Sequence, residues 1–153
     1  MAEKDLYLPI KKYLEYKLNL CGYDKVYVEV TGEKNISNII YEKFEHQFSV
    51  LDKRFFPDLI ASFKNNARNY SITIEVKDDP LTVRDLFQAL SYGKILRSKK
   101  SFLISNYSLP DQIRYFLDDR PDLLKYGHGG RLYIGKIEKN EILDGHWFPE
   151  NPF

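Results

Sequence analysis

The sequence predicts an α/β fold with the element order αβββαβ, and three features carry that prediction. Residues 5–20 place apolar side chains at helical spacing, and residues 83–97 do so again. Residues 26–31, 59–63 and 70–76 have the composition and alternation of strands, and the last two flank an Asn65-Asn66-Ala67-Arg68 turn. A short apolar run, Ser101–Ser105, closes the series as a fourth strand. A chain of 153 residues with 43% hydrophobic side chains can bury one real core, so residues 1–153 are expected to form a single domain.

Composition excludes several classes. A content of 29% charged residues is ordinary for a soluble globular chain, which argues against wholesale disorder. The net charge of +1 gives no global field for nucleic acid, so any such contact must come from a local basic patch. Aromatic residues reach 15%, and stacking on bases is one use for them, but core and surface tyrosines account for most. Cys21 is the single cysteine, which rules out an internal disulfide and points to an intracellular, cytoplasmic setting. The N-terminus is too charged for a signal peptide, and no apolar run approaches the ~20 residues of a membrane span.

In chain order, Leu6, Ile10, Tyr13, Leu14 and Leu18 share one face of the first helix. Glu3 extends that face backwards while Glu15 lies to its side, so Glu3 is the acid that calls for an explanation. Pro9 complicates the start of this helix, and Cys21-Gly22 ends it. Val26–Thr31 follows as a strand. Residues 32–54 admit a short helix through Ile36, Ile39, Ile40 and Phe44, a flap, or an insertion that binds a partner. After the hairpin, Thr82 is the expected N-cap of a helix from Val83 to about Arg97, with Val83, Leu86, Phe87, Leu90, Ile95 and Leu96 as its apolar residues. Gln88, Tyr92 and Gly93 interrupt that stripe. Arg97, Lys99 and Lys100 are cations at the helix end, where the helix dipole alone can explain them. Further on come a helix at Asp111–Leu117, a helical turn from Pro121, a tight loop at His128-Gly129-Gly130, a strand at Leu132–Ile137 and an irregular or hairpin tail.

The chemistry concentrates in the hairpin. Centring its turn between Asn66 and Ala67 pairs Leu59 with Ile74, Ala61 with Ile72 and Phe63 with Tyr70, and it sets Asp58 opposite Glu75. One face is then apolar, while the other carries Asp58, Ser62, Ser71, Thr73, Glu75 and Lys77, with Ile60 its only apolar member. Carboxylates facing across a ladder sit about 4.5–5.5 Å apart at Cα and repel each other. A cation between them removes the repulsion. Mg²⁺ takes oxygen ligands, usually one or two carboxylates with waters and phosphate oxygens, which Asp58 and Glu75 can supply beside the Val76 carbonyl. Lys77 shares their strand face and can assist an attacking water or neutralise charge in a transition state. The competing explanation is a solvent-facing Glu75–Lys77 strand with Asp58 as a turn residue.

Pro57-Asp58, sixteen intervening residues and Glu75-Val76-Lys77 together resemble the PD-(D/E)XK nuclease superfamily, over residues 3–105. Gln88–Tyr92 is similar to the Gln-bearing helix of its Mrr-like and type I restriction subunit branches. The resemblance implies a restriction-endonuclease-like core, a central mixed sheet flanked by helices, with residues 106–153 adding a helix and a strand. It implies a Mg²⁺-dependent nuclease acting on DNA, with Mn²⁺ as a plausible substitute. Asp58, Glu75, the Val76 carbonyl and Glu3 would hold the metal, Lys77 would assist the water, and Gln88 would hold a water or phosphate. A homodimer would suit cutting of both strands. The alternative keeps the fold in a nucleic-acid-binding or assembly subunit with little catalysis of its own. His46, His128 and His146 lack the spacing of a zinc site. Gly127-x-Gly129-Gly130 lacks the context of a phosphate loop. Cys21 has no predicted base neighbour.

Overall fold

The computed structural model describes residues 2–32, 38–44 and 56–153. A 3-10 turn at Glu3–Leu6 leads into α1 (Tyr7–Leu20), which is followed by β1 (Asp24–Val30) and α2 (Asn38–Lys43). The hairpin strands are β2 (Leu59–Asn65) and β3 (Arg68–Lys77). Helix α3 (Val83–Ile95) and strand β4 (Lys100–Ser105) complete the order αβββαβ, apart from the short α2. The chain continues through α4 (Asp111–Asp119), β5 (Lys125–Tyr126), β6 (Gly130–Glu138) and β7 (Glu141–Ile142). The tail begins as a hairpin, one of the two forms expected, because Lys139 and Asn140 take the two left-handed positions of a tight β6–β7 turn.

The sheet is mixed, in the order β1-β2-β3-β4-β6-β5, with β7 paired to β6. Strands β1, β2 and β3 are antiparallel neighbours, whereas β3–β4 and β4–β6 are parallel. Parallel neighbours need a crossover, and α3 and α4 supply the two that are required here.

Both faces of the sheet are covered. The α1 stripe of Leu6, Ile10, Leu14 and Leu18 packs on Leu59, Ala61, Ile72, Ile74 and Val76. Cys21 caps this helix and Gly22, at φ +80°, takes the left-handed step that turns the chain into β1. On the opposite face Leu86 and Ala89 of α3 pack with Leu103, Leu132 and Ile134. Ile40, Phe44 and Leu96 cover Ile60 there.

Helix α3 begins as expected, with Thr82 accepting from the Asp85 N–H in a capping box. Its buried face differs from the expected stripe. Tyr92 and Gly93 lie inside, while Val83, Phe87 and Ile95 are exposed. Gly93 explains the rotation: a Cβ there would meet the Tyr126 hydroxyl at 2.6 Å, so the helix can press this side against β5 only without a side chain.

Phe102, fully buried on β4, sits in an aromatic cluster with Tyr133, Trp147 and Phe153 at centroid distances of 6.1, 5.0 and 5.7 Å. Phe102→Ala is expected to cost about 3–5 kcal/mol, read as a fall in the midpoint of urea unfolding. A midpoint unchanged within error would contradict this packing.

Candidate active site

Asn66 and Ala67 both adopt left-handed backbones, at φ +52° and +65°, which gives the tight turn whose twist matches a two-stranded ribbon. The register follows from it. Leu59 pairs with Ile74, Ala61 with Ile72 and Phe63 with Tyr70, as the turn position predicts.

The ladder stops at Leu59–Ile74, so Asp58 departs from the simple opposition to Glu75 expected from the sequence. Its N–H donates to the Ile74 carbonyl at 3.0 Å, and its Oδ2 accepts the Val76 N–H at 2.7 Å. The end of β1 fixes it from the other side: Thr31 and Gly32 donate their N–H groups to the Asp58 carbonyl at 2.8 and 3.1 Å. The Thr31 hydroxyl also donates to the Pro57 carbonyl at 2.7 Å. Asp58 is thus held by backbone from two neighbouring strands, a degree of fixation that a simple turn residue does not need.

The polar face of the hairpin is buried, not solvated. Asp58 is 8% exposed and Glu75 4%, and Ser62, Ser71 and Thr73 are buried beside them. Lys77 Nζ lies 3.4 Å from Glu75 Oε1, while Glu75 Oε2 is buried with no hydrogen-bond partner. Burial and the neighbouring Asp58 push the Glu75 carboxyl up to about 8. Burial also raises Asp58, against the hydrogen bonds from Val76 and Tyr7 that favour its charged form. For Lys77, burial works against the charge, but Glu75, Glu3 and Asp85 outweigh it and the ammonium is held above its ordinary value.

Tyr7 joins the helix to this pair. Its hydroxyl lies 2.8 Å from Asp58 Oδ1 and 3.2 Å from Glu3 Oε1. Glu3 reaches the site through that phenol, and burial followed by Asp58 raises its carboxyl as well. Glu15 makes no side-chain contact with these groups; its carbonyl accepts from Asn19. Gln88 lies on α3 and donates to the Tyr92 hydroxyl at 3.3 Å, and among the described residues neither side chain has a hydrogen bond to Asp58, Glu75 or Lys77. Val76 presents its N–H to Asp58, and its side chain is in the core.

Among the described residues, no three His, Cys, Asp or Glu side chains gather into a metal-binding group. Asp58 and Glu75 act on each other directly, and Glu3 is joined to Asp58 through the Tyr7 hydroxyl. Two carboxylates suffice for Mg²⁺, which keeps several waters and shares phosphate oxygens. The donor set is all oxygen, and Glu75 Oε2 is buried without a hydrogen-bond partner, so a cation there would take the place of the proton that the raised Glu75 carboxyl holds. His128 and His146 are exposed surface residues, Cys21 is exposed, and His46 lies outside the described residues.

Two participants escaped the sequence reading. Tyr7 sits four residues after Glu3 on the buried face, a spacing that was visible, but its ring reads as ordinary core. Gly32 follows β1, and a Cβ there would meet Asp58 Oδ1 at 3.0 Å. Tyr7→Phe removes a donor to a buried carboxylate, worth about 1.5–3 kcal/mol. The expected results are a lower melting temperature and divalent-cation affinity weakened about 10–100-fold by titration calorimetry. Unchanged affinity would remove Tyr7 from the site.

No family model, curated protein or solved structure matches the chain.

Proposed function

We propose that the chain is a divalent-metal-dependent nuclease that hydrolyses phosphodiester bonds in DNA on a restriction-endonuclease-like fold. One observation carries the reading: two buried carboxylates, Asp58 and Glu75, lie beside Lys77, and one buried carboxylate oxygen has no partner. Buried acids without compensation are costly, and a protein that fixes one of them with five hydrogen-bonding groups is holding it for a purpose. The Pro57-Asp58…Glu75-Val76-Lys77 spacing and the order αβββαβ support the same reading.

Asp58 and Glu75 would hold Mg²⁺, or Mn²⁺ in its place, with the Val76 carbonyl and Glu3 completing the oxygen set. When bound, the cation supplies Lewis-acid charge at the phosphate and acidifies a water. Lys77, cationic and tethered to Glu75, orients that water and offsets negative charge developing on the phosphate. Tyr7 keeps Asp58 in place, and Gln88 on α3 would hold a water or phosphate. A two-fold pair of chains would allow both DNA strands to be cut. An intracellular setting agrees with the lone, exposed Cys21. Among the described residues no helix is long and apolar enough to cross a membrane.

A second reading is favoured by the Lys77–Glu75 ion pair, which partly neutralises the acids without a metal. It makes the chain a DNA-binding or assembly subunit that does not cut. Incubation of supercoiled plasmid with millimolar Mg²⁺ or Mn²⁺, with and without chelator, decides between them. Metal-dependent nicking or linearisation supports the nuclease; intact plasmid together with salt-sensitive binding selects the subunit.

A further inference from the structure

At the other end of β3, away from the acids, two cavities share Tyr70, Ser71 and Lys99. The first, about 250 Å³, has Lys43, Asn69, Arg97 and Lys99 in its wall; the second, about 190 Å³, has Tyr23, Phe63 and Lys100. We propose that this furrow is a second binding site, one that takes a single strand of nucleic acid by its phosphates and one or more bases.

Charge is the first reason. Among the described residues no carboxylate lines either cavity, although acids and bases nearly balance over the whole chain. Lys43, Arg97 and Lys99 converge there from two helix ends and a connecting segment. Lys43 donates to Ser62 at 2.7 Å, and Lys99 donates to the His128 carbonyl, so both ammonium groups are positioned by neutral partners and, among the described residues, neither is taken up by a carboxylate there. Burial and the nearby Lys64 and Lys25 make the Lys43 cation less stable, as expected where positive charges crowd without counterions. The helix dipole favours a cation in the last turn, where Lys94 already lies. Arg97 stands beyond the C-cap in a left-handed backbone at φ +54°, a conformation that a long side chain seldom takes, and it lines the first cavity.

Aromatic surface is the second reason. Phe63 stacks on Tyr23 at 4.4 Å and on Tyr70 at 5.7 Å between centroids, with planes within 17° and 18°. The two tyrosines at the ends of this stack are only partly buried, and Tyr70 lines both cavities. Basic walls that track a backbone and aromatic faces that receive bases are the recurring parts of single-strand binding sites. Each cavity alone is smaller than the ~300 Å³ at which small-molecule pockets begin. One lies on the α3 face and the other on the α1 face, and they meet at Tyr70, Ser71 and Lys99, which suits an extended polymer passing the end of the sheet better than a small molecule.

The inference rests on the nucleic-acid part of the proposed function but not on its chemistry, so it is tested without cleavage. Fluorescence anisotropy of a labelled single-stranded DNA oligonucleotide is measured in excess chelator over a range of salt, for the wild type and for Arg97→Gln, Lys99→Gln and the double variant. Both side chains are exposed, so the fold should persist in these variants, as melting curves check. The slope of log affinity against log salt should become shallower by about 0.7 for each phosphate that is no longer neutralised. An abasic strand of the same length should bind about tenfold more weakly than the ordinary strand. Wild-type affinity and slope in the double variant would overturn the site, whatever the plasmid assay gives. Equal affinity for the abasic strand would overturn its stacking half. Salt-dependent binding that needs Arg97 and Lys99, with no plasmid cleavage, would sustain this site and sink the nuclease.

Discussion

Asp58→Asn and Glu75→Gln are each expected to lower metal-dependent plasmid cleavage at least 100- to 1,000-fold, on the order of losing one main electrostatic element of an active site. The substitutions are isosteric for a reason. In Asp58→Asn the new side chain can keep its carbonyl toward the Val76 N–H and turn its amide toward the Tyr7 hydroxyl, which accepts as well as donates. Asp58→Ala would instead orphan the Val76 N–H in a buried place and leave Tyr7 only its Glu3 partner, and lost activity would then be confounded with lost structure. Because the two acids act on one ion, the double variant should be scarcely worse than either single one. Cleavage at wild-type rates in both isosteric variants would remove these carboxylates from the chemistry.

Raising the pH should destabilise the metal-free protein, the reverse of what a salt-bridged carboxylate does. In the folded chain Glu75 is pushed from its ordinary 4.5 up to about 8, first by burial and then by Asp58. Between those values the folded state holds a proton that the unfolded state has released. Stability is therefore fully present below the unfolded value and is lost as pH rises through about 8. Glu3 and Asp58 are raised too and add to the effect with the same sign. The loss is on the order of a few kcal/mol, and for a chain of this length each kcal/mol moves the melting temperature about 2–4 °C. Melting in chelator from pH 5 to pH 9 should show the fall. Glu75→Gln should abolish most of it and melt higher than wild type at pH 9. Mg²⁺ replaces the proton as counter-charge, so it should raise the melting temperature more at pH 9 than at pH 6. A melting temperature that climbs from pH 5 to pH 8 in chelator would contradict the burial of Glu75 beside Asp58.

The hairpin was legible because its register depends on local information. Asn66 can adopt a left-handed backbone readily, alternation fixes which residues face the core, and the two together set every pair from Phe63–Tyr70 to Leu59–Ile74. The bend at Asp58 was not legible, since it is made by Thr31 and Gly32 of a different strand and by Tyr7 of α1. Burial of the polar face was likewise hidden. Ser62, Ser71 and Thr73 read as solvent-facing until α2 and α3 are seen to cover them. The α3 stripe went astray at Gly93, where contact with Tyr126, thirty-three positions away, decides which side turns inward. The furrow combines positions 23, 43, 63, 70, 97 and 99, and only tertiary structure brings them together. Helix-end cations had a sufficient local explanation, which is why their convergence could not be read from Arg97 and Lys99 alone. Of the expected 32–54 segment, a short helix is present as Asn38–Lys43, with Ile40 inside it and Phe44 just past its end, while Ile36 lies outside the described residues.

The central claim is that Asp58 and Glu75 share a divalent cation. Crystals soaked in Mn²⁺ at pH 8–9, where the acids give up their protons most readily, test it through anomalous scattering. The account predicts a single strong peak within coordination distance of both carboxylates, absent from Glu75→Gln crystals treated alike. Wild-type crystals with no peak there, and with the two carboxyl groups unchanged in position, would contradict it.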